Sequence, residues 1–251
     1  MKRLIQGMMV ASALAAAGLA MSGSALADEK SAKIESVPHQ LAGSEAFLRY
    51  HPDLRWRRDG VKSFDAGRFD EALAQLKRAA RYGDKPSQGL VAEMYWKGTG
   101  VEQDRALAYA WMDLAAQRNY KTFTAMRELY WSGLNADEQK RALAAGKEIY
   151  AEYGDDVAEP RMNAMLRKAK RDVTGSRVGF TGNLRMQVRT ENGEFTEITG
   201  DKYYKEQYWE PELYAQWKDE FFENPFGGTV DVGELRRTEE GKTATDTEES
   251  R

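Results

Sequence analysis

The chain contains no cysteine and only two histidines among its 251 residues. The missing cysteine excludes disulfide bridges, thiolate metal sites and a lipid anchor attached to cysteine. Histidine most often carries proton transfer near neutral pH, so chemistry of that kind has few carriers here. We expect neither histidine to be held by a core, because His39 lies in a predicted leader and His51 precedes Pro52 at a helix entry. We therefore predict that the protein is not an enzyme.

The common catalytic signatures are also missing. The chain has no G-x-S-x-G, no phosphate-binding Walker loop and no H-E-x-x-H, so we assign no catalytic, cofactor-binding or metal-binding residue and expect no cofactor. The 37 basic and 40 acidic residues give a formal net charge of −3. Such a balance offers no basic excess for a phosphate backbone, so we expect no nucleic-acid partner.

The first 27 residues have the pattern of a signal peptide. A basic pair is followed by an uncharged stretch from Leu4 to Met21, and Ala25 and Ala27 supply the small residues that signal peptidase needs. We predict cleavage after Ala27 and a periplasmic location in a Gram-negative bacterium. The alternative is an uncleaved anchor helix, but the glycines, the serines and the A-x-A ending favour removal. No second apolar run of membrane length follows, so we expect no stable membrane insertion after cleavage.

The amino-acid composition divides the mature chain into a leader, a folded body and a tail. Residues 28–43 are polar and without period, which predicts a flexible leader, and residues 236–251 predict a disordered tail. Between them, residues 44–172 predict a helical domain. Its apolar residues recur three and four positions apart, as in the run Phe69, Ala72, Leu73, Leu76, Ala79 and Ala80.

The helices repeat with a period in the mid-thirties. The run Met94–Gly98 recurs about 35 residues later as Leu129–Gly133, and the pair Ala79-Ala80 recurs as Ala115-Ala116. A unit of this length with two helices cannot cover its own apolar face. The pattern therefore predicts stacked helical hairpins that cover one another, in a mainly α fold.

One repeat resembles a known family. The stretch from Ala92 to Asp104 contains Tyr95 and G-x-G-V-x-x-D, and Ala108, Trp111 and Ala115-Ala116 follow at the expected spacings. This pattern is similar to the Sel-one-like repeat (SLR), a relative of the tetratricopeptide repeat. Two weaker copies flank it, and the resemblance covers about half of the chain. It implies a short α-solenoid that binds and assembles other proteins rather than catalysing a reaction.

The resemblance also implies a binding surface. In such stacks the first helix of each hairpin lines a concave groove, and Gly60 and Ala92 are expected at the small packing positions that set the register. The predicted groove residues are Arg57, Val61, Phe64, Glu93, Trp96, Lys97, Glu128 and Trp131. The two tryptophans could equally pack against neighbouring helices. The leading interpretation is thus a non-catalytic periplasmic adaptor or scaffold that binds a protein segment.

After Gly175 the period changes from helix to strand. Leu184, Met186 and Val188 alternate with polar residues, and a turn at Asn192-Gly193 precedes a second strand from Phe195. Val230 and Val232 suggest a third strand, and Pro211 begins a helix. Residues 175–235 therefore predict a small α+β module with an antiparallel sheet.

This module supports an alternative function. It carries nine aromatic rings within 24 residues, namely Tyr203, Tyr204, Tyr208, Trp209, Tyr214, Trp217, Phe221, Phe222 and Phe226. Rings beside the carboxylates of Glu210, Glu212, Asp219, Glu220 and Glu223 could serve a peptidoglycan-binding protein or a glycan hydrolase. The competing interpretation is that the rings form a core and the acids a solvated face.

Overall fold

The computed structural model describes residue 41 and residues 44–173, 185–189, 193 and 195–223. The helices are α1 (Glu45–Leu48), α2 (Pro52–Asp65), α3 (Phe69–Ala80), α4 (Lys85–Lys97), α5 (Arg105–Ala115), α6 (Lys121–Gly133), α7 (Ala136–Tyr153), α8 (Asp155–Val173), α9 (Gly200–Tyr203), α10 (Glu206–Trp209) and α11 (Pro211–Glu223). The strands are β1 (Arg185–Arg189) and β2 (Phe195–Thr199). The mainly helical prediction is confirmed. The predicted signal peptide, most of the leader and the tail lie outside the described residues.

The first hairpin consists of α2 and α3, which pack tightly against each other. The chain turns between them through Gly67, whose φ of +74° lies in the left-handed region. A Cβ added to Gly60 would lie 2.8 Å from Leu76 Cδ2 on α3. Gly60 therefore occupies the small packing position that the repeat register predicts.

The second hairpin consists of α4 and α5. Gly98, with a φ of +67°, caps the carboxyl end of α4. The side chain of Asp104 then accepts a hydrogen bond from the Leu107 backbone N–H at 3.0 Å and caps α5. Gly100, with a φ of +71°, completes the turn between them. The two glycines and the aspartate of the repeat motif therefore form the turn and begin the next helix.

The third hairpin consists of α6 and α7, which contact each other less than the two helices of the first and second hairpins do. A capping box between Asn135 and Glu138 begins α7, which packs mainly along α5. A cavity of about 280 Å³ lies beside these two helices, and its lining includes Tyr109, Leu143 and Tyr150. A Cβ added to Gly146 of α7 would meet no atom within 4 Å.

The main core surrounds α5, which is apolar on nearly every side. Its buried residues are Ala106, Ala108, Ala110, Trp111, Met112, Leu114 and Ala115. Helices α4, α6 and α7 all pack on α5 and enclose it. A helix that is apolar on nearly every side requires such enclosure.

A second core joins α1 and α8 to the C-terminal helices. Its buried residues are Leu41, Phe47, Leu48, Met162, Leu166, Ala169, Ile198, Tyr203, Tyr208, Trp209, Tyr214 and Trp217. Strands β1 and β2 pair antiparallel, with Gln187 opposite Glu197. The prediction of a module built on an antiparallel sheet is not supported, because the described residues form only this two-stranded ribbon and its helices share a core with α1 and α8. Val230 and Val232 lie outside the described residues, and the predicted domain boundaries stay predictions.

Two glycines give opposite expectations for substitution by alanine. Gly100→Ala should lower the free energy of unfolding by about 2 kcal/mol or more. The backbone of residue 100 has a positive φ, and the new Cβ would lie 2.0 Å from Phe69 Cβ. Gly146→Ala should raise it by about 0.5–1 kcal/mol, because alanine favours a helix interior and the space beside Gly146 is open. Urea denaturation of both variants measures the difference. Equal stabilities would contradict the described turn.

Candidate protein-binding groove

The first helices of the second and third hairpins, α4 and α6, lie side by side. A Cβ added to Gly89 of α4 would lie 2.8 Å from Phe123 Cε1 of α6. The rings of Trp96 and Tyr130 stack between the two helices, with centroids 4.1 Å apart. This contact brings the predicted groove residues of both hairpins onto neighbouring helices.

The predicted groove residues of α2 are all half-buried. Arg57 Nη1 donates a hydrogen bond to Asp84 Oδ1 at 3.0 Å, which ties α2 to the beginning of α4. The ring of Phe64 packs on Phe69, with centroids 5.1 Å apart, and belongs to the edge of the main core. Val61 lies on α2 between Arg57 and Phe64 in the sequence. Arg57 and Phe64 thus have structural contacts already.

On α4, Glu93 and Lys97 form an ion pair one helical turn apart. Lys97 is exposed and Glu93 is half-buried. The second carboxylate oxygen of Glu93, Oε2, is buried and has no hydrogen-bond partner among the described residues. Trp96 packs on Tyr130, and the Arg105 guanidinium lies 4.7 Å from the Trp96 ring centroid.

On α6, Glu128 is exposed and accepts a hydrogen bond from Arg127 at 2.7 Å. Trp131 is half-buried against Tyr109 of α5, with ring centroids 4.8 Å apart. Both tryptophans therefore contact neighbouring helices, as the packing interpretation expects. A partner-binding role for the eight predicted residues stays a prediction.

A set of buried charges, which the sequence did not single out, joins α11 to the repeats. Asp53 Oδ2 accepts hydrogen bonds from Lys218 Nζ at 2.9 Å and from the Tyr214 hydroxyl at 2.8 Å. Asp53 and Lys218 are both buried. Burial alone would raise the pKa of Asp53, but Lys218 holds that pKa below its ordinary value. Lys218 follows Tyr214 by four residues and so lies on the same helix face, but no local pattern indicates its distant partner Asp53.

A second ionic cluster surrounds Arg118, at the end of the turn after α5. Its guanidinium donates to Asp155 at 2.9 and 3.2 Å and to Asp219 at 3.2 Å. Lys85 Nζ lies 3.0 Å from the Asp155 carboxylate. Burial lowers the pKa of Lys85 to about 8, although its pairing with Asp155 raises it. The cluster ties α4, α8 and α11 to the turn after α5.

The prediction that His51 is not held by a core is wrong. His51 is fully buried, and its two ring nitrogens each lie 2.8 Å from a backbone oxygen, of Phe47 and of Tyr208. Its ring also stacks on Phe47, with centroids 3.9 Å apart. The ring therefore joins α1 to α10. Burial lowers the pKa of His51, despite the nearby Asp53 carboxylate, which raises it.

The aromatic platform of the alternative function is not supported. The buried rings of this region are Tyr203, Tyr208, Trp209, Tyr214 and Trp217. They form the second core, because so small a set of elements needs large side chains to exclude water. Two of the predicted acids are paired, Glu210 with Lys170 and Asp219 with Arg118. A glycan cannot stack on rings that face the interior.

The described residues support neither a metal site nor a membrane-spanning helix. Within the described ranges, no group of three or more acidic, histidine or cysteine side chains could hold a metal ion. None of the helices that the structure describes combines the length and apolar composition that crossing a membrane requires. The stacked hairpins define this part of the chain as a helical-repeat protein.

Comparisons with known proteins give one similar structure. No family model matches the chain, and no curated protein matches it. A solved structure of a protective antigen present in uropathogenic Escherichia coli strains, which displays an SLR fold, is similar to this chain. The two sequences are 22% identical, with a TM-score of 0.38, over 53% of this chain and 27% of that protein. This chain thus spans only about a quarter of that antigen's length.

The buried histidine predicts a pH-dependent stability. Because the pKa of His51 is lower in the folded than in the unfolded chain, the unfolded chain binds the proton first. The free energy of unfolding should therefore fall as the pH drops below about 6.5, the ordinary histidine value. Urea denaturation between pH 7.5 and about pH 5 measures this slope, which His51→Gln should flatten. His39→Gln is the matched control and should keep the slope; a slope unchanged in both variants would contradict the burial.

Proposed function

We propose that this chain is a non-catalytic adaptor of the periplasm that binds a protein segment on the groove formed by α2, α4 and α6. The observation that carries the proposal is the adjacency of α4 and α6, which brings Glu93, Lys97 and Glu128 onto neighbouring helices. Lys97 and Glu128 are exposed, and Glu93 is partly so. Charged side chains on a rigid helical surface can select a partner by charge and hydrogen bonding.

The periplasmic location is the part of the proposal that rests on sequence alone. It is supported by the signal-peptide pattern of the first 27 residues. The partner is a protein, and the buried rings of the second core offer no surface to peptidoglycan.

Site-specific photo-crosslinking in living cells tests the groove. A photoreactive amino acid at Val61, Lys97 or Glu128 should capture one and the same partner protein, because the three positions lie on the first helices of successive hairpins. Matched controls are Ala74 of α3 and Ala151 of α7, which are exposed on second helices. Immunoblotting and mass spectrometry of the crosslinked species measure the result.

Crosslinks of equal yield at the groove and control positions would contradict the proposal. So would three unrelated partners, one at each groove position. Cell fractionation of the same strains tests the location, and a processed chain in the cytoplasmic fraction would overturn the periplasmic assignment.

A further inference from the structure

The cavity beside α5 and α7 has a wall of apolar groups. Helices α6 and α7 both pack on α5 but contact each other little, and a volume of about 280 Å³ is left against α5 and α7. Ala110 of α5 and Ala142, Leu143 and Gly146 of α7 form its apolar wall. Leu143 is 60% exposed, so an apolar group bound in the cavity would remove this side chain from water.

Gly146 differs from the other glycines within the repeat helices. A Cβ added to Gly60, Gly89 or Gly133 would lie 2.8 or 2.9 Å from a side chain of a neighbouring helix. At those positions a neighbouring helix fills the space that the glycine leaves. A Cβ added to Gly146 would have no described atom within 4 Å. The missing side chain of Gly146 therefore enlarges the cavity instead of admitting a helix.

An accessible carboxylate lies on the α5 side of the cavity. The Tyr150 hydroxyl lies 3.1 Å from both Oδ2 and the backbone oxygen of Asp113, and so holds the Asp113 side chain in place. The other carboxylate oxygen, Oδ1, lies 3.7 Å from Arg127 Nη1, which is longer than a hydrogen bond. The Asp113 side chain is 33% exposed. Oδ1 can therefore accept a hydrogen bond from a cation that enters the cavity.

Hydrogen-bond donors face the same cavity. Lys147 of α7 is exposed and forms no ion pair within the described part of the chain, with Asp113 or with any other acid. Burial, together with the Asp113 carboxylate, raises the pKa of Tyr109, so its hydroxyl keeps a proton to donate. Arg127 and Glu128 of α6 pair with each other and add no net charge. The cavity thus offers one anion and one cation that are not paired with each other.

We infer that this cavity binds a free amino acid with an apolar side chain, such as leucine. The ligand's ammonium group pairs with Asp113, its carboxylate pairs with Lys147 and Tyr109, and its side chain covers Gly146 and Leu143. A ligand with a single charge would leave one of the two cavity charges unpaired, whereas a zwitterion pairs with both. The site lies apart from the groove of the proposed function and does not depend on it.

The size of the cavity agrees with such a ligand. A volume of about 280 Å³ equals that of about nine molecules of liquid water, which is about the number of non-hydrogen atoms in leucine. A ligand of this size makes few contacts, so we expect a dissociation constant below about 1 mM but not a tight complex.

Titration of the isotope-labelled full chain with L-leucine, followed by NMR chemical shifts, tests the site. The shifts should be largest in α5 and α7. Glycine lacks the side chain, leucinamide lacks the carboxylate and 4-methylpentanoate lacks the ammonium group, so each should bind at least about tenfold more weakly than L-leucine. No binding of L-leucine up to about 10 mM, or equal affinity for the four compounds, would overturn the inference.

Gly146→Leu fills the cavity with a side chain of the protein itself. It should weaken the binding of L-leucine at least about tenfold, while urea denaturation shows a stability no lower than that of the wild type, because leucine favours a helix more than glycine does. A stable variant that binds L-leucine as the wild type does would show that the ligand lies elsewhere and would refute the site.

Lys147→Gln tests the cation alone. The variant should lose the preference for L-leucine over leucinamide, because only L-leucine carries the carboxylate that Lys147 binds. Lys140→Gln is the matched control, since Lys140 is an exposed lysine of α7 that does not line the cavity, and it should keep the preference. An unchanged preference in Lys147→Gln, or the same loss in both variants, would contradict the assigned contact.

Discussion

The enclosure of α5 is the constraint on which the rest of the structure depends. A helix that is apolar on nearly every side gains its stability only when other helices surround it, and α4, α6 and α7 do so. The alanines of α5 allow these neighbours to approach closely. Because α4 and α6 are both held against α5, their other faces lie beside each other at the protein surface. The candidate groove is a consequence of how the core is closed.

Buried charges decide how the C-terminal helices meet the repeats. Removing Asp53 and Lys218 from water is costly, and their mutual attraction offsets that cost only in one geometry. Arg118 acts in the same way between Asp155 and Asp219. Apolar contacts alone would tolerate a sliding helix, whereas these directional bonds select one position for α11. That position places α11 against Asp53 in the first turn of α2 and against Tyr120, just before α6.

Part of the candidate site could be predicted from the sequence, and part could not. The repeat register placed Glu93, Lys97 and Glu128 on neighbouring first helices, because the run Met94–Gly98 recurs as Leu129–Gly133 and the repeat sets which helix face is turned inward. The same register could not tell whether a tryptophan lines the groove or packs against a neighbouring helix. Trp96 and Trp131 have neighbours in the next hairpin and in α5, and those contacts depend on how openly the third hairpin is built.

The sequence by itself determined the helical repeat and its local ends. Gly98, Gly100 and Asp104 act through backbone torsions and hydrogen bonds that reach three or four residues, so their roles are readable from nearby residues alone. Only the tertiary structure decided whether His51, the aromatic residues and α11 are buried, and which partners they contact. Lys218 meets Asp53 from 165 residues away along the chain. Whether such a group is buried, paired or exposed depends on which distant segment covers it, and no local pattern carries that information.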